Sequence, residues 1–208
     1  MRNIINTICF IFFIPLFCLG QTKNLNNNLI KLIDSLYQAD QRTVTIKPND
    51  SAAAAYQRVI KTNFSVIKQI LKQNGFPGYN LIGKECSGHY FLLVQHSDFD
   101  VAFQKKALKL MKKQVDKNNA SGQSYAYLID RISLNTGKAQ IYGTQVIMGR
   151  DTKIKPCIDI DNLDKRRKSV GLIPIKEYLK NCNDTFYEMN PQEKRPKANP
   201  SDSTKNGI

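Results

Sequence analysis

Apolar side chains recur every three to four residues along most of this chain, and that spacing predicts helices. The first such stripe predicts a helix over residues 26–39. The next helix begins after Asn49 or Asp50, which are favourable N-caps, and Gly75 followed by Pro77 ends it. Further stripes predict helices over residues 83–96, 98–117, 121–137, 161–169 and 174–181.

The period changes at residues 139–147, where apolar and polar side chains alternate. A period of two is typical of a β-strand. Residues 149–152 have the composition of a turn and residues 153–158 that of a return strand, so a β-hairpin is predicted over 139–158. An isolated hairpin is only marginally stable, so this one must pack on helices. We therefore expect a mainly α fold of the α+β type, with six to seven helices and one hairpin.

The first twenty residues differ in composition from the rest of the chain. Arg2 is followed by an almost wholly apolar run over residues 4–19, and the small residues Cys18 and Gly20 close the segment. This layout is typical of a secretion signal cleaved near Gly20, so an exported protein, periplasmic or secreted, is predicted. A membrane anchor is one alternative. A lipid-modified Cys18 is another, although a bulky residue, Phe17, precedes it and disfavours that processing.

The remaining length predicts a single domain over residues 26–182. Beyond Asn183 the chain is rich in Pro, Asn, Lys and Ser and has few large apolar residues, so a disordered tail is predicted over residues 183–208. Removal of a signal leaves three cysteines, which are Cys86, Cys157 and Cys182. An oxidising compartment would allow one disulfide in any of three pairings, and three unpaired thiols are an equally good interpretation.

The net charge is +14, from 31 basic and 17 acidic residues, which is high for a chain of this length. Such a field attracts anions, whereas the simpler interpretation is a solvated basic surface that maintains solubility. The helix over 98–117 carries lysines on its outer face: Lys105, Lys106, Lys109, Lys112 and Lys113. No aromatic residues are interleaved with them, which argues against single-stranded nucleic acid. The expected partners are an unidentified polar or anionic ligand and, weakly, acidic surfaces, with no specific nucleic acid and no stable membrane span after cleavage.

The first polar segment with candidate chemistry is Gln95-His96-Ser97-Asp98, at the end of an apolar stretch. Histidine is the usual general acid or base near neutral pH, and a nearby carboxylate can fix its tautomer. His96 is therefore a candidate acid or base, and Asp98 a candidate for orienting it. The alternative is structural, with a histidine at one helix end and Ser97 or Asp98 as the N-cap of the next helix.

A second segment pairs Asp130 with Arg131 inside the apolar stretch over residues 125–132. A charged pair in such a context either reaches a partner or lies on the outer face. A structural ion pair that ties this helix to a neighbour is the alternative interpretation. Asp40 and Arg42, after the first predicted helix, are a further but weaker candidate pair.

A third segment runs from Gln140 to Gln145 within the predicted strand. Alternation would place Gln140, Tyr142 and Thr144 on one face, and Gly143 and Gln145 on the other. Glycine inside a strand often marks a close approach by another chain or a ligand. The alternative is a bulged edge strand.

A fourth segment, over residues 161–167, carries Asp164, Arg166 and Arg167 on one short helix. Arginine forks suit carboxylate and phosphate, whereas pairing within a solvated helix is the structural alternative. The chain has only 2 histidines and no Cys/His spacing for zinc. It also has no phosphate loop, nucleophile elbow or dinucleotide fingerprint. No metal or cofactor is therefore expected.

These segments, in this order, resemble the bacterial domain-of-unknown-function family 6624. The resemblance covers residues 29–181, with Phe76 where the family often has Trp and Thr62 where it has Asp. It implies a fold and a candidate site but no established reaction. The matching motifs are Asp40 and Arg42, Gly75-Phe76-Pro77, Gly83, Gln95-His96-Ser97-Asp98, Tyr127-Leu128-Ile129-Asp130-Arg131, Gln140-Ile141-Tyr142-Gly143-Thr144-Gln145, Asp164-Lys165-Arg166-Arg167 and Gly171-Leu172.

Two functions agree with these residues. The first is a binding protein or sensor outside the cytoplasm with a pocket for a polar or anionic ligand, lined by His96, Arg131, Gln145 and Arg166. The second is a hydrolase or transferase in which His96 is the acid or base and Asp98 or Asp130 orients it. Arg131 or Arg166 would then stabilise developing negative charge. The candidate catalytic residues are His96, Asp98 and Asp130, and the candidate ligand-binding residues are Gln95, Arg131, Tyr142, Thr144, Gln145, Arg166 and Arg167.

Overall fold

The computed structural model of the protein describes residues 25–44 and 50–195. Helices dominate this part of the chain, and the only two strands described in it form an antiparallel hairpin, so the predicted mainly α fold with one hairpin is confirmed. The predicted signal peptide lies outside the described residues. The elements are α1 (Asn27–Val44), α2 (Asp50–Asn74), α3 (Tyr79–Gln95), α4 (Val101–Val115), α5 (Gly122–Asn135), β1 (Val146–Ile147), β2 (Lys153–Ile154), a 3₁₀ turn (Ile160–Asn162), α6 (Leu163–Ser169) and α7 (Ile175–Met189).

All five helices from α1 to α5 contribute buried side chains to one hydrophobic core, in which α1 packs on α2 and α3, and α4 packs on α5. On α1 the buried stripe consists of Leu29, Ile33 and Leu36, at the spacing of three and four residues that places side chains on one helix face. In α3 the ring of Tyr90 is fully buried, and its hydroxyl donates to the carbonyl of Ile67 at 2.9 Å. Burial of each such side chain stabilises the fold by about 1.5–3 kcal/mol.

The junctions around α3 differ from the predicted ones. α3 begins at Tyr79 and is kinked at Gly83, where a φ of +79° suits glycine, so the prediction missed the turn before the kink. The N-cap of α4 is Asp100, whose carboxylate accepts from the N–H of Phe103 at 2.8 Å. The predicted caps Ser97 and Asp98 have other partners, because Ser97 is buried against α3 and Asp98 bonds to α5.

The long strand predicted over residues 139–147 is wrong for most of its length. Only Val146–Ile147 pairs with Lys153–Ile154, and Gln140 forms a single parallel bridge with Cys157. Residues 141–145 instead form an irregular loop, with Gly143 at a φ of +63°. The alternating faces expected for this segment are therefore absent from it.

The last helix continues to Met189, beyond the predicted end at residue 181, so the predicted disordered tail is wrong for its first residues. Two side chains of this extension bind the hairpin turn. The amide of Asn183 donates to the carbonyl of Gly149 at 3.0 Å, and the hydroxyl of the buried Tyr187 donates to that of Arg150 at 3.3 Å. Tertiary contacts therefore support a helix for which the sequence alone has little apolar signal. The rest of the predicted tail, from residue 196, lies outside the described residues.

The cysteines predicted to remain after signal removal, Cys86, Cys157 and Cys182, are free thiols in the structure. Across residues 25–44 and 50–195, every helix is too short or too polar to cross a membrane.

Candidate functional site

A pocket of about 500 Å³ opens where α2 passes the junction between α3 and α4 and the side of α5. Its volume lies in the range of small-molecule sites, about 300–1,000 Å³. Both polar and apolar side chains line it: Tyr56, Gln57 and Ile60 from α2, His96, Asp98 and Phe99 from the α3–α4 junction, and Arg131 from α5. The pocket therefore contains three residues that the sequence singles out, His96, Asp98 and Arg131.

The imidazole of His96 is held by a carboxylate from α1. Its Nδ1 lies 2.9 Å from Oδ2 and 3.0 Å from Oδ1 of Asp40, which is only 1% exposed. A carboxylate can only accept from the imidazole, so it fixes the tautomer with hydrogen on Nδ1 and leaves the lone pair on Nε2. Among the described residues nothing hydrogen-bonds Nε2, and the side chain of His96 keeps 18% of its surface exposed at the pocket. Nε2 is therefore available to accept a proton.

The second charged pair of the pocket joins Asp98 to Arg131. Nε of Arg131 lies 2.9 and 3.0 Å from the two carboxylate oxygens, and its Nη2 lies 2.5 Å from Oδ2. Oδ1 also accepts from the amides of Gln104, at 3.1 Å, and Asn135, at 2.9 Å. Burial on its own would raise the pKa of Asp98. The bonds and charge of Arg131, together with the two amides, outweigh burial and hold that pKa below its ordinary value.

Tyr56 lines the pocket and contacts the imidazole. Its ring meets that of His96 edge to face, with 5.9 Å between ring centroids. Burial raises the pKa of the Tyr56 hydroxyl to about 12, and the charges of Asp40 and Asp98 add to the effect against the opposing charge of Arg131. The hydroxyl therefore stays protonated at neutral pH and can donate a hydrogen bond.

Asp130 precedes Arg131 in the chain but serves a different part of the molecule. The carboxylate of Asp130 is fully buried and accepts from the backbone N–H groups of Ile141, Tyr142 and Thr144 at 2.7–3.2 Å. It also accepts from the Thr144 hydroxyl at 2.9 Å. These bonds curl residues 141–144 around the carboxylate, which explains why no strand forms there. Asp130 does not hydrogen-bond His96, so its candidate catalytic role has no geometric support.

The amide side chains near the hairpin are structural as well. The fully buried Gln140 donates to the carbonyls of Gln145 and Lys155, each at 2.9 Å, and accepts from the N–H of Gln145. The side chain of Gln145 donates to the hydroxyl of Thr144 at 3.3 Å. Tyr142 is half-buried, and burial raises the pKa of its hydroxyl. None of these residues lines the pocket that contains His96.

The two arginines of α6 donate hydrogen bonds to backbone carbonyls of the loop over residues 141–145. Nε of Arg166 donates to the carbonyl of Ile141 at 2.9 Å, and the guanidinium pairs with Asp159 at 3.0 Å beside a separate shallow depression. Arg167 is almost fully buried and donates to the carbonyls of Tyr142 and Ile173. Burial lowers the pKa of Arg167. The expected pocket of His96, Arg131, Gln145 and Arg166 is therefore divided, since only the first two share a cavity.

Asp40, which holds the imidazole, was only a weak sequence candidate. It follows Leu29, Ile33 and Leu36 at helical spacing and is buried as they are. A carboxylate that continues an apolar stripe must find a partner, and that pattern is the signal that could have identified it. Gln95 is buried, and its carbonyl accepts from the amide of Gln104 at 3.0 Å. No pattern in the sequence singles out the remaining wall residues as part of a site: Tyr56, Gln57, Ile60 and Phe99.

His89, on α3, allows a comparison with His96, the C-cap of the same helix, because each imidazole contacts an aspartate of α1. Nδ1 of His89 lies 2.8 Å from Oδ1 of Asp34, and its ring stacks on Tyr37 with 3.8 Å between centroids. Asp34 is 37% exposed, and His89 does not line the pocket. The two pairs share their chemistry and differ in burial and in access to a cavity. The described residues contain no group of three or more His, Cys, Asp or Glu side chains that could hold a metal ion.

Comparison with known proteins identifies a family but no function. No curated protein and no solved structure matches this chain. The model of a family of unknown function, DUF6624, matches residues 29–190, which span every helix from α1 to α7 and include all the residues that line the pocket. Because that match covers most of the chain, the protein belongs to the family of unknown function DUF6624.

Proposed function

We propose that this is an exported protein that binds a small polar molecule in the pocket between α2, α5 and the α3–α4 junction, and that His96 acts on that molecule as a general acid or base. The observation that carries the proposal is the pair formed by Nδ1 of His96 and the buried carboxylate of Asp40, while Nε2 has no hydrogen bond to the part of the chain that the structure describes. A base whose position is fixed by a third group is the arrangement that acid–base catalysis requires.

The surrounding side chains support a reaction in which charge develops on oxygen. Nε2 of His96 would take a proton from water or a substrate hydroxyl as that oxygen attacks, and would return it to the leaving group. The hydroxyl of Tyr56 would donate a hydrogen bond to the oxygen on which negative charge develops. The guanidinium of Arg131 would hold an acidic group of the substrate. A hydrolase or transferase is the class that fits these roles.

A binding protein without chemistry is the second candidate. It is favoured by one observation, which is that no serine, threonine or cysteine is among the described residues that line the pocket. A hydrolase of this kind would therefore have to use water directly. Both candidates require the same pocket, so they differ only in whether a bound molecule is turned over.

A panel of chromogenic esters, phosphoesters and glycosides tests the proposal. We expect turnover of at least one class, reduced about 10²–10⁴-fold in His96→Gln, which is the usual contribution of an acid–base group. His89→Gln is the matched control and should leave the rate unchanged, because His89 lies outside the pocket. Equal losses in both variants would contradict a catalytic His96. Specific binding without turnover would favour the second candidate.

Export is tested separately, by cell fractionation and by N-terminal sequencing of the mature protein. The proposal requires the mature chain to begin near Gln21. A chain that retains Met1 in the cytoplasmic fraction would contradict it.

A further inference from the structure

Arg131 uses only one edge of its guanidinium group to bind Asp98. The contacts are made by Nε and Nη2, in the side-on arrangement of an arginine with a carboxylate. Nη1 makes no hydrogen bond to any described residue. The second edge, made by Nη1 and the other hydrogen of Nη2, therefore retains two parallel N–H donors. That fork matches the two oxygens of a carboxylate.

Asp98 holds this guanidinium in place and is itself fixed. In addition to Arg131, its Oδ1 accepts from Gln104 and Asn135. Gln104 is fully buried, and its amide nitrogen also donates to the carbonyls of Val94 and Gln95 at the end of α3. The carboxylate of Asp98 is therefore saturated by donors from α4 and α5. Its side chain is a positioning group and has no capacity left to bind a ligand.

The rest of the pocket is suited to an organic body. Tyr56, Ile60 and Phe99 give it aromatic and aliphatic walls, and the side chain of Arg131 is 30% exposed between them and His96. A bare inorganic anion would leave these apolar walls without contact. A molecule with an apolar or ring-shaped part would cover them, and removal of that apolar surface from water would favour binding.

We propose that the ligand of this pocket is a small organic carboxylate, bound through its two oxygens to the Nη1–Nη2 edge of Arg131, with its apolar part against Tyr56, Ile60 and Phe99. This inference rests on the proposed function, because it names the class of molecule on which His96 would act. It places the ligand's acidic end at the guanidinium and its remaining atoms toward the imidazole.

Three benzene derivatives of similar size separate charge from shape. Benzoate carries the carboxylate, benzamide has the same shape without the charge, and benzylamine carries the opposite charge. Binding is measured by chemical-shift changes in a ¹⁵N-labelled sample, with inorganic phosphate and acetate as anions that lack the apolar part. We expect benzoate to bind more tightly than all four others. Its shifts should concentrate on the Arg131 Nε–H and on residues of the pocket wall.

Two variants locate the binding. Arg131→Lys keeps the charge beside Asp98 but removes the fork, and Arg131→Gln removes both. Each should weaken benzoate about 10–100-fold, the worth of a charge-assisted hydrogen bond. Arg150→Gln is the control, because Arg150 is also paired with a carboxylate, that of Glu193, but on the surface. It should bind benzoate as the native protein does.

The outcomes distinguish this inference from the proposed function. Benzamide or benzylamine equal to benzoate, phosphate tighter than benzoate, no detectable benzoate binding, or full affinity in Arg131→Lys would each overturn the carboxylate assignment. The role of His96 is judged independently, from the tautomer seen in long-range ¹H–¹⁵N spectra of the unliganded protein. Hydrogen on Nε2 instead of Nδ1 would contradict the proposed function and would leave the probe results intact.

Discussion

Replacement of Asp40 by alanine is expected to lower the free energy of unfolding by about 2–4 kcal/mol, the combined cost of an unpaired donor and a gap at a buried position. The carboxylate is 1% exposed and accepts from Nδ1 of His96 at 2.9–3.0 Å. Its loss leaves that donor without a partner, which costs about 1–3 kcal/mol. It also leaves a gap at the end of the buried stripe of α1, which adds to the loss.

The matched control is Asp34→Ala, which removes the partner of His89 from the same helix. Its hydrogen bond is equally short, at 2.8 Å, and it joins the same two helices. Asp34, however, is 37% exposed, so water can replace it at the imidazole. Pairs exposed to solvent contribute about 0–1 kcal/mol. The difference in free energy of unfolding between Asp40→Ala and Asp34→Ala therefore measures how much burial strengthens an aspartate–histidine pair.

Urea denaturation followed by circular dichroism gives the free energy of unfolding of each variant. A double-mutant cycle of Asp40→Ala with His96→Ala isolates the interaction between the two side chains from any other contact of Asp40, and its coupling energy should be about 1–3 kcal/mol. Equal losses for Asp40→Ala and Asp34→Ala, or a coupling energy near zero, would refute the reasoning. The carboxylate of Asp40 would then not hold the imidazole of His96, and the inference that hydrogen lies on Nδ1 would no longer be supported.

Three further predictions concern other charged or buried groups. Asp130→Asn should lower the free energy of unfolding by about 2–4 kcal/mol in urea denaturation, because an amide NH₂ in place of one oxygen opposes the buried donors of residues 141–144; an unchanged midpoint would contradict this. Burial raises the pKa of Asp98, but Arg131 and the two amides lower it by more, so the pKa in the folded protein lies below the unfolded value of about 3.9. The contribution of ionised Asp98 to stability is therefore complete above the unfolded pKa and is lost as the pH falls through the folded pKa. The difference in free energy of unfolding between the native protein and Asp98→Asn should therefore narrow between about pH 5 and pH 2, and a constant difference would exclude the ion pair as its source. Burial, with the nearby charge of Asp34, raises the pKa of the Cys86 thiol to about 12. Mass spectrometry after iodoacetamide treatment at pH 8 should find Cys86 unmodified in the folded protein and modified in urea, and rapid labelling of the native chain would contradict its burial.

The helices could be predicted from the sequence wherever one apolar stripe faces the core. α1 and α2 are examples, because Leu29 and Ile33 in α1, and Ile67 and Leu71 in α2, recur at helical spacing and are all buried. Periodicity does not report contacts between distant segments. The end of α7 depends on Asn183 and Tyr187 reaching the turn of the hairpin, so its composition alone indicates a tail.

The loop over residues 141–145 illustrates a second limit. Its alternation of apolar and polar residues is typical of a strand, but a buried carboxylate eleven positions earlier binds its backbone N–H groups. Each N–H that donates to Asp130 is lost to a neighbouring strand. A strand and the carboxylate would use the same backbone N–H donors. The donors bind the carboxylate, because a buried charge without hydrogen bonds would cost far more free energy than an unformed strand.

Asp130 and Arg131 illustrate why sequence reasoning found only part of the pocket. Adjacent residues on a helix point about 100° apart, so one faces the loop before α6 and the other faces the α3–α4 junction. In sequence the two charges form one motif, whereas in the fold Asp130 shapes the loop and Arg131 lines the cavity. Asp40 and His96 are the converse case, since 56 positions separate two side chains that act as one group. A charged segment therefore indicates where polar groups are buried, and only the packing of α1 against α3 and of α4 against α5 decides which of them meet.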